Sequence, residues 1–454
     1  MNTQKKNSLS VCLIVKNEEA YLAECLESIR EIADQLVIVD TGSTDRTLDI
    51  ARSFNAEIYH FDWVNDFSAA RNESIKYARC DWVLWIDADE RLTKESVPVL
   101  KKLLKFEKQP VIYTIRIKNL QEDKKNFTLS NAHRLFTNHR RIQFTGKIHE
   151  QISPSAKKVG ADERPCAVVL DHLGYSITGD EKSRKQARNR KILEAEVEVG
   201  PKNAYAHFTL AHNYKVDGEL ELAEKHYKIA LGLDQFDTKM KASLLNTYAD
   251  ALFDLGRIDE VAPLIDKSLK LQKRQNAAHF IRYKYLLKLN DLQGAIQALL
   301  TIQNQYADIQ NHGSGISTDL EIDKTTIVKT LGDLYTQSGK WVEAAKCYEE
   351  CLAAKDDSVN MLRNYFKVLE RLEDWHAALD ILGKLVQKEG ELPPYINAIA
   401  TILIRMGEFE AALQTYLRLN QIQPDDSQLK RKIASLYAKL GMEDQARQWL
   451  ASEK

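Results

Sequence analysis

Apolar and polar positions in the first part of the chain fall into two alternating patterns. Leu9–Val15 is a continuous apolar run and reads as a strand, whereas Glu18–Arg30 carries apolar residues at 22, 25, 26 and 29, the stripe of a helix face. Gln35–Asp40, Glu57–Phe61 and Trp82–Ile86 read as further strands, with helices over Thr44–Phe54 and Phe67–Arg79 between them. This βαβα alternation predicts a mostly parallel sheet, and ligands of such sheets bind beyond the carboxyl ends of the strands. Val111–Ile117, Arg134–Phe136 and Cys166–Leu170 add three more expected strands.

After about residue 180 the strand patterns stop and a repeat begins. Gly332, Tyr335, Gly339, Ala344 and Tyr348 recur as Ala400, Leu403, Gly407, Ala412 and Tyr416, and again as Ala434, Tyr437, Gly441, Ala446 and Leu450. Aligned starts at 325, 359, 393 and 427 are 34 residues apart, the period of the tetratricopeptide repeat (TPR), a helix–turn–helix unit. Earlier copies start near 204, 242 and 276, the first marked by Ala211, Tyr214, Gly218, Ala223 and Tyr227. Small residues let helices approach, glycine turns the chain between them, and aromatics fill the gap. The aromatic residues Tyr214, Tyr227, Tyr335, Trp341 and Tyr348 are accordingly expected to pack rather than to bind ligands. Residues 311–324 break the period and predict a loop insertion. The expected organisation is an α/β domain over 1–180, a charged helical connector over 181–203 ending at Gly200-Pro201, and an all-α solenoid of about seven repeats over 204–454.

Composition adds limits. The 454 residues are 44% apolar and 28% charged, ordinary for a globular protein. A net charge of −1 gives no global attraction to nucleic acid or to anionic membrane, so neither is an expected partner. No segment approaches the ~20 apolar residues of a membrane span, and Leu9–Val15 is too short for a signal-peptide core. The six cysteines form no CxxC pair, and Cys347 and Cys351 read as buried thiols sharing a helix face. That usage fits a reducing cytoplasm.

Three expected strand ends carry polar chemistry. Trp82–Ile86 runs into Asp87-Ala-Asp89-Glu90, two carboxylates one residue apart. Oxygens so placed can hold Mg²⁺ or Mn²⁺, with substrate phosphates completing the shell. Asp40 ends another apolar run and is followed by Gly42; its carboxylate could accept hydrogen bonds from a nucleobase or ribose. Asp45 reads as a helix-start residue. Glu18 and Glu19, after Val15 and Asn17, complement a helix dipole.

The runs SVCLIVKNEE, VIVDTGSTDRT, DFSAARNESIKYA and WVLWIDADE, in that order, closely resemble the family-2 glycosyltransferases of the GT-A fold. The resemblance covers about residues 8–180 and implies a GT-A nucleotide-diphospho-sugar transferase domain ahead of the TPR solenoid. It implies inverting transfer of a hexose or N-acetylhexosamine from a UDP-sugar donor. By resemblance, Asp40 meets the nucleobase, Val15 and Asn17 line its pocket, and Arg71 and Asn72 lie near the diphosphate or ribose. Asp87 contacts donor ribose or metal, and Asp89 binds the metal. Many members follow the D-x-D with a Glu-Asp pair that supplies the base; none is clear here, and Glu150 of Lys147-Ile-His149-Glu150 is the expected substitute. The competing reading of Glu150 is a structural salt bridge to Arg134, Arg140, Arg141 or Lys147. GT-A enzymes often take a late histidine as a metal ligand, which makes His172 a metal candidate. His133, Arg134 and His149 are secondary candidates for donor or acceptor contact. Gly146-Lys-Ile-His149-Glu150 and His172-Leu-Gly174-Tyr175, followed by TPRs, look like the bacterial branch with appended repeats, which includes peptide glycosyltransferases that modify bacteriocins.

The expected acceptor is therefore a polypeptide, joined through Ser/Thr or Cys and docked on the repeats. An exposed solenoid face equally suits a second copy, so a homodimer is the competing partner expectation. The alternatives are an enzyme for an envelope glycan or lipopolysaccharide core, and a catalytically inactive TPR scaffold.

Overall fold

The computed structural model describes residues 7–120, 127–173, 180–312, 316, 320 and 322–451. Gly174 and Tyr175, and half of the expected 311–324 loop, lie outside them.

The N-terminal part is a mixed sheet between helices. Its strands are β1 (Leu9–Val15), β2 (Gln35–Asp40), β3 (Glu57–His60), β4 (Trp82–Trp85), β5 (Glu90–Leu92), β6 (Val111–Leu120), β7 (Phe127–Thr137) and β8 (Asp162–His172). They lie in the order β3-β2-β1-β4-β7-β6-β8-β5. The βαβα pattern yields a parallel half, with β1 flanked by β2 and β4 and β2 by β3. The far half departs from the parallel expectation. There β7 runs antiparallel to β4 and β6, β6 runs parallel to β8, and β5 runs antiparallel to β8.

The period-2 alternation of strands sends successive side chains to opposite faces. Val11, Leu13 and Val15 join the cluster that buries Leu22, Leu26 and Ile29 of α1 (Leu22–Ile29). Cys12, Val83 and Trp85 join the other, with Ile75 of α3 (Phe67–Lys76) and Phe144. Trp85, the last residue of β4, thereby faces α3 and the segment after β7. Smaller helices are α2 (Thr47–Ser53), α4 (Ser96–Leu103) and α5 (Ser153–Lys158).

The helical region opens with α6 (Asp180–Val199), over the expected connector. Among the described residues fourteen helices follow in succession: α7 (Ala204–Val216), α8 (Leu220–Gly232), α9 (Thr238–Asp254), α10 (Val261–Leu271), α11 (Asn276–Lys288), α12 (Leu292–His312), α13 (Lys324–Gln337), α14 (Trp341–Ala353), α15 (Val359–Leu372), α16 (Trp375–Glu389), α17 (Pro393–Met406), α18 (Phe409–Ile422), α19 (Ser427–Lys439) and α20 (Glu443–Ala451). Tyr227, Tyr348 and Tyr416 are fully buried between helices. No described helix is long and apolar enough to cross a membrane, and all six cysteines are free thiols.

By compactness the chain divides into Met1–Asp291 with Asn304–Ile322, and Leu292–Gln303 with Asp323–Lys454. The first unit thus holds the sheet, α6 and the helices from α7 to α11.

Candidate active site

Two groups of polar residues gather at the carboxyl ends of the parallel strands. The first joins the ends of β1 and β2. Asp40 closes β2 and is 4% exposed. Its carboxylate accepts from the backbone N–H groups of Gly42 and Ser43, both at 3.1 Å, and His60 Nδ1 stands 3.6 Å from it. The N–H and hydroxyl of Thr41 both donate to the carbonyl of Val15, at 3.0 and 3.1 Å. Asn17 sits at φ +57°, and its side-chain oxygen accepts from Thr44 N at 2.7 Å. Asp45 receives the N–H and hydroxyl of Thr47 at the start of α2 and the N–H of Glu19. The two loops are thus laced together by their own side chains.

The second group is built on the turn after β4. Asp87 N donates to Glu90 Oε2 at 2.9 Å and Glu90 N to the carbonyl of Asp87 at 3.0 Å, so the turn is closed twice. Arg71, reaching up from α3, donates from Nη2 to Asp87 Oδ1 at 2.8 Å and from Nε to Glu150. Arg134, from β7, reaches Asp87 Oδ2 at 3.2 Å and Glu90 Oε1 at 2.5 Å. Both guanidinium carbons lie within 4 Å of the Trp85 ring centroid, at 3.9 Å for Arg71 and 3.4 Å for Arg134, a favourable cation–π geometry. Two cations and three carboxylates therefore share one largely dry site. Burial opposes ionisation of Asp87, but Arg71 and Arg134 outweigh it and hold its carboxyl below the usual carboxylate range. Burial pushes Glu90 up to about 7 against the pull of Arg134.

Asp89 points elsewhere. The β5–β8 ladder sets Glu90 opposite His172, which brings His172 Nε2 within 3.3 Å of Asp89 Oδ2. His172 Nδ1 contacts the side-chain oxygen of Asn119 at 2.7 Å. An amide oxygen only accepts, so Nδ1 carries the proton and Nε2 is turned toward Asp89. Among the described residues no three His, Cys, Asp or Glu side chains converge as a ready-made metal cage. One carboxylate and one imidazole, oriented by a partner, fit a Mg²⁺ or Mn²⁺ ion that takes its remaining ligands from water and a diphosphate.

The expected site residues thus separate. Asp87, Arg71 and Glu150 meet; Asp89 and His172 meet; Val15, Asn17 and Asp40 form the laced loops. Asn72 lies apart from all three sets. Its amide donates to the carbonyl of Phe144 at 3.0 Å and accepts from the N–H of Phe144 at 2.8 Å, clamping the segment after β7. The ion-pair partner of Glu150 is Arg71, none of the four cations weighed from sequence. Of the secondary candidates, His133 pairs with Glu163 at 2.9 Å, while Arg134 is central. Sequence reasoning did not single out Glu90 or Asn119. Glu90 carries a signal, being the acid directly after the D-x-D; Asn119 carries none, because only the ladder brings it to His172.

A family model for glycosyl transferase family 2 matches residues 10–159, and two tetratricopeptide-repeat models match residues 330–358 and 393–426. The chain is 31% identical over 277 residues to a TPR repeat-containing protein of Synechococcus elongatus, a match covering 60% of this chain and 68% of that protein. It is 28% identical over 200 residues to the SPbeta prophage-derived glycosyltransferase SunS of Bacillus subtilis, covering 42% of this chain and 45% of SunS, less than half of that relative. Among solved structures, the TPR protein YrrB matches with a TM-score of 0.35 at 16% identity, over 45% of this chain and 96% of YrrB.

Proposed function

The chain carries a glycosyl transferase family 2 domain followed by tetratricopeptide repeats, and from that premise we propose that it transfers a sugar from a UDP-sugar, with inversion, to a polypeptide acceptor. One observation carries the reading: the closed Asp87–Glu90 turn at the end of β4, with Arg71 and Arg134 converging on it. A site that gathers cations around strand-end carboxylates suits a reaction whose leaving group is a nucleoside diphosphate.

In this reading the donor's base lies against Val15, Asn17 and Asp40, whose loops are already ordered by mutual hydrogen bonds. Asp87, fixed by two guanidinium groups, receives the donor ribose. Asp89 and His172 would hold Mg²⁺ or Mn²⁺, which when bound supplies charge neutralisation at the diphosphate. Arg71 and Arg134 keep the site electropositive where negative charge grows on the leaving group. Glu150 Oε1 is held by Arg71, and Oε2 takes the proton of the acceptor hydroxyl or thiol as it attacks the face opposite the diphosphate. The sugar, the acceptor side chain and the cytoplasmic location belong to the same proposal. Repeat proteins present extended surfaces suited to a polypeptide acceptor, and SunS, by name, is a glycosyltransferase.

The test is a thermal shift with UDP and Mn²⁺. A ligand that binds only the native state raises the unfolding midpoint. UDP with Mn²⁺ should raise it and UDP with excess chelator should raise it less. Asp89→Asn should keep the fold, lose the Mn²⁺-dependent part of the shift and abolish sugar transfer. Full activity in excess chelator, or an unaltered Mn²⁺ response in Asp89→Asn, would refute metal binding by Asp89.

A further inference from the structure

The segment that carries Glu150 is an irregular loop between β7 and α5. Its only ladder contact among the described residues is the bridge Thr145↔Gln151. Between those two residues the chain turns sharply, with Gly146 at φ +92° and His149 at φ +55°. A non-glycine residue in the left-handed region persists only where its surroundings over-determine it. Part of that support comes from the α/β domain. The N–H of Phe67 donates to the carbonyl of Lys147 at 2.9 Å, and Arg71 holds the Glu150 carboxylate.

The rest comes from the repeats. Tyr205, in the first turn of α7, donates its hydroxyl to the carbonyl of His149 at 2.8 Å. The same ring closes over Gly146, where an added Cβ would lie 3.6 Å from Tyr205 Cε1. Ile148, 5% exposed, belongs to the core of the first repeats, with Leu193, Phe208, Ala211 and Tyr214. The His149 ring stands 6.5 Å, edge to face, from His212, two turns along α7. Three consecutive residues, Ile148, His149 and Glu150, thus point in turn into the repeat, to the phenol of the repeat and into the charged site.

We propose that the first tetratricopeptide repeat is part of the catalytic unit, and that Tyr205 is a positioning residue that holds the His149 backbone and thereby aims Glu150. The proposal rests on the reading of Glu150 as the base. A phenol bonded to a backbone carbonyl fixes the peptide plane that precedes Glu150. Arg71 then fixes the carboxylate at the other end. Without Tyr205 the turn keeps its covalent path but loses the contact that selects the left-handed state at His149. The carboxylate then samples positions from which it cannot reach the acceptor proton. Small displacements of a reacting group lower turnover without altering donor binding, because Tyr205 is not among the residues assigned to the donor.

The experiment uses the full chain and reads UDP release from UDP-glucose or UDP-N-acetylglucosamine, whichever turns over faster. Tyr205→Phe, which removes one oxygen, should lower kcat by roughly 10–100-fold with donor KM unchanged. Glu150→Gln should also be slow, and the double variant should be no slower than Glu150→Gln alone, because one residue acts through the other. Hydrogen exchange supplies a readout independent of chemistry: the amides of Thr145, Gln151 and Phe67, which the loop's backbone bonds protect, should lose protection in Tyr205→Phe while those of β1 and β4 keep theirs. If Glu150→Gln turns over normally, the base assignment fails, and loss of loop protection in Tyr205→Phe would still uphold the positioning of the loop. Wild-type kcat together with unchanged loop protection in Tyr205→Phe would overturn the proposal, as would additive losses in the double variant. Should Tyr205→Phe prove poorly folded, His212→Ala, which leaves the phenol in place, must retain loop protection for the proposal to stand.

Discussion

Asp87 and Glu90 stand three residues apart and behave oppositely, because two guanidinium groups converge on the first while the second is sealed at 1% exposure with Arg134 and one backbone N–H. A second pair of titratable groups lies in the first repeat. His207 Nε2 contacts the carbonyl of Pro201 at 3.1 Å, and its Nδ1 faces His226 Nδ1 at 2.8 Å. A carbonyl only accepts, so His207 Nε2 carries the proton and Nδ1 receives a bond from His226 Nδ1–H. Burial, then His207, then Lys225 push His226 down to about 4, against the pull of Glu194, while Tyr214 packs beside its ring at 5.6 Å. Between about 4 and the ordinary 6.5, the unfolded chain binds a proton that the native chain refuses. Stability is therefore expected to fall as the pH drops through this window and to be restored as it rises. Urea midpoints at pH 7 and pH 5 measure the effect, and His226→Gln should reduce the difference; an unreduced difference would remove His226 as its source. At this scale the carboxylates of the site were legible in sequence, since acids at a strand end advertise themselves. Their pairing with Arg71 and Arg134 was not, since both cations were read as candidates for donor or acceptor contact. Arg134 lies 47 residues from Asp87 along the chain and arrives across the β4–β7 ladder.

Among elements, the helices of the repeats were the easiest to read, and β5 with the first part of β7 the hardest. The expected repeat starts at 204, 276, 359, 393 and 427 coincide with the first residues of α7, α11, α15, α17 and α19, and only the start expected at 242 moves appreciably, to Thr238. Small residues and aromatics at fixed spacing mark a helix pair because the packing needs both at once. Gly332 shows how tightly: a Cβ there would lie 2.9 Å from Cε1 of Tyr348, a ring with no exposed surface. Gly332→Ala gains helix propensity of about 1 kcal/mol but overpacks the interface, which costs about 1–3 kcal/mol. A net loss of stability is expected, read as a lower urea midpoint, and Tyr348→Phe should not relieve it, since the clash is with ring carbons. A stabilised Gly332→Ala would show that the interface has slack. Strand β5 and the part of β7 ahead of Arg134–Phe136 were hidden for a different reason. Three residues are too few to show alternation, and β7 interrupts its apolar positions with Ser130, Asn131 and His133. Those polar residues sit in a strand that is held by its ladders to β4 and β6 and buries Leu135 and Phe136 near its end.

On the scale of the whole molecule, composition changes near residue 180 but compactness does not. The sheet and the helices as far as Asp291 form one unit, and Ile148 lies in the same cluster as α7. A chain ending at residue 180 exposes Ile148 and leaves the His149 carbonyl without its phenol. A chain ending after Ile322 keeps the whole of that unit. The shorter fragment is expected to lose UDP-sugar hydrolysis and the longer one to retain it; equal activity would mean that the sheet domain is catalytically self-sufficient. The anchoring bond has one more consequence. Tyr205 grips a main-chain oxygen, which every residue type supplies, so the grip is indifferent to the side chain at position 149. Among residues that tolerate the left-handed backbone at that position, the side chain can vary, and with it whatever it presents to the proposed acceptor, while the loop stays fastened. On the proposed function, a chain built this way can try new acceptors one substitution at a time without first rebuilding the scaffold that holds the Glu150 loop.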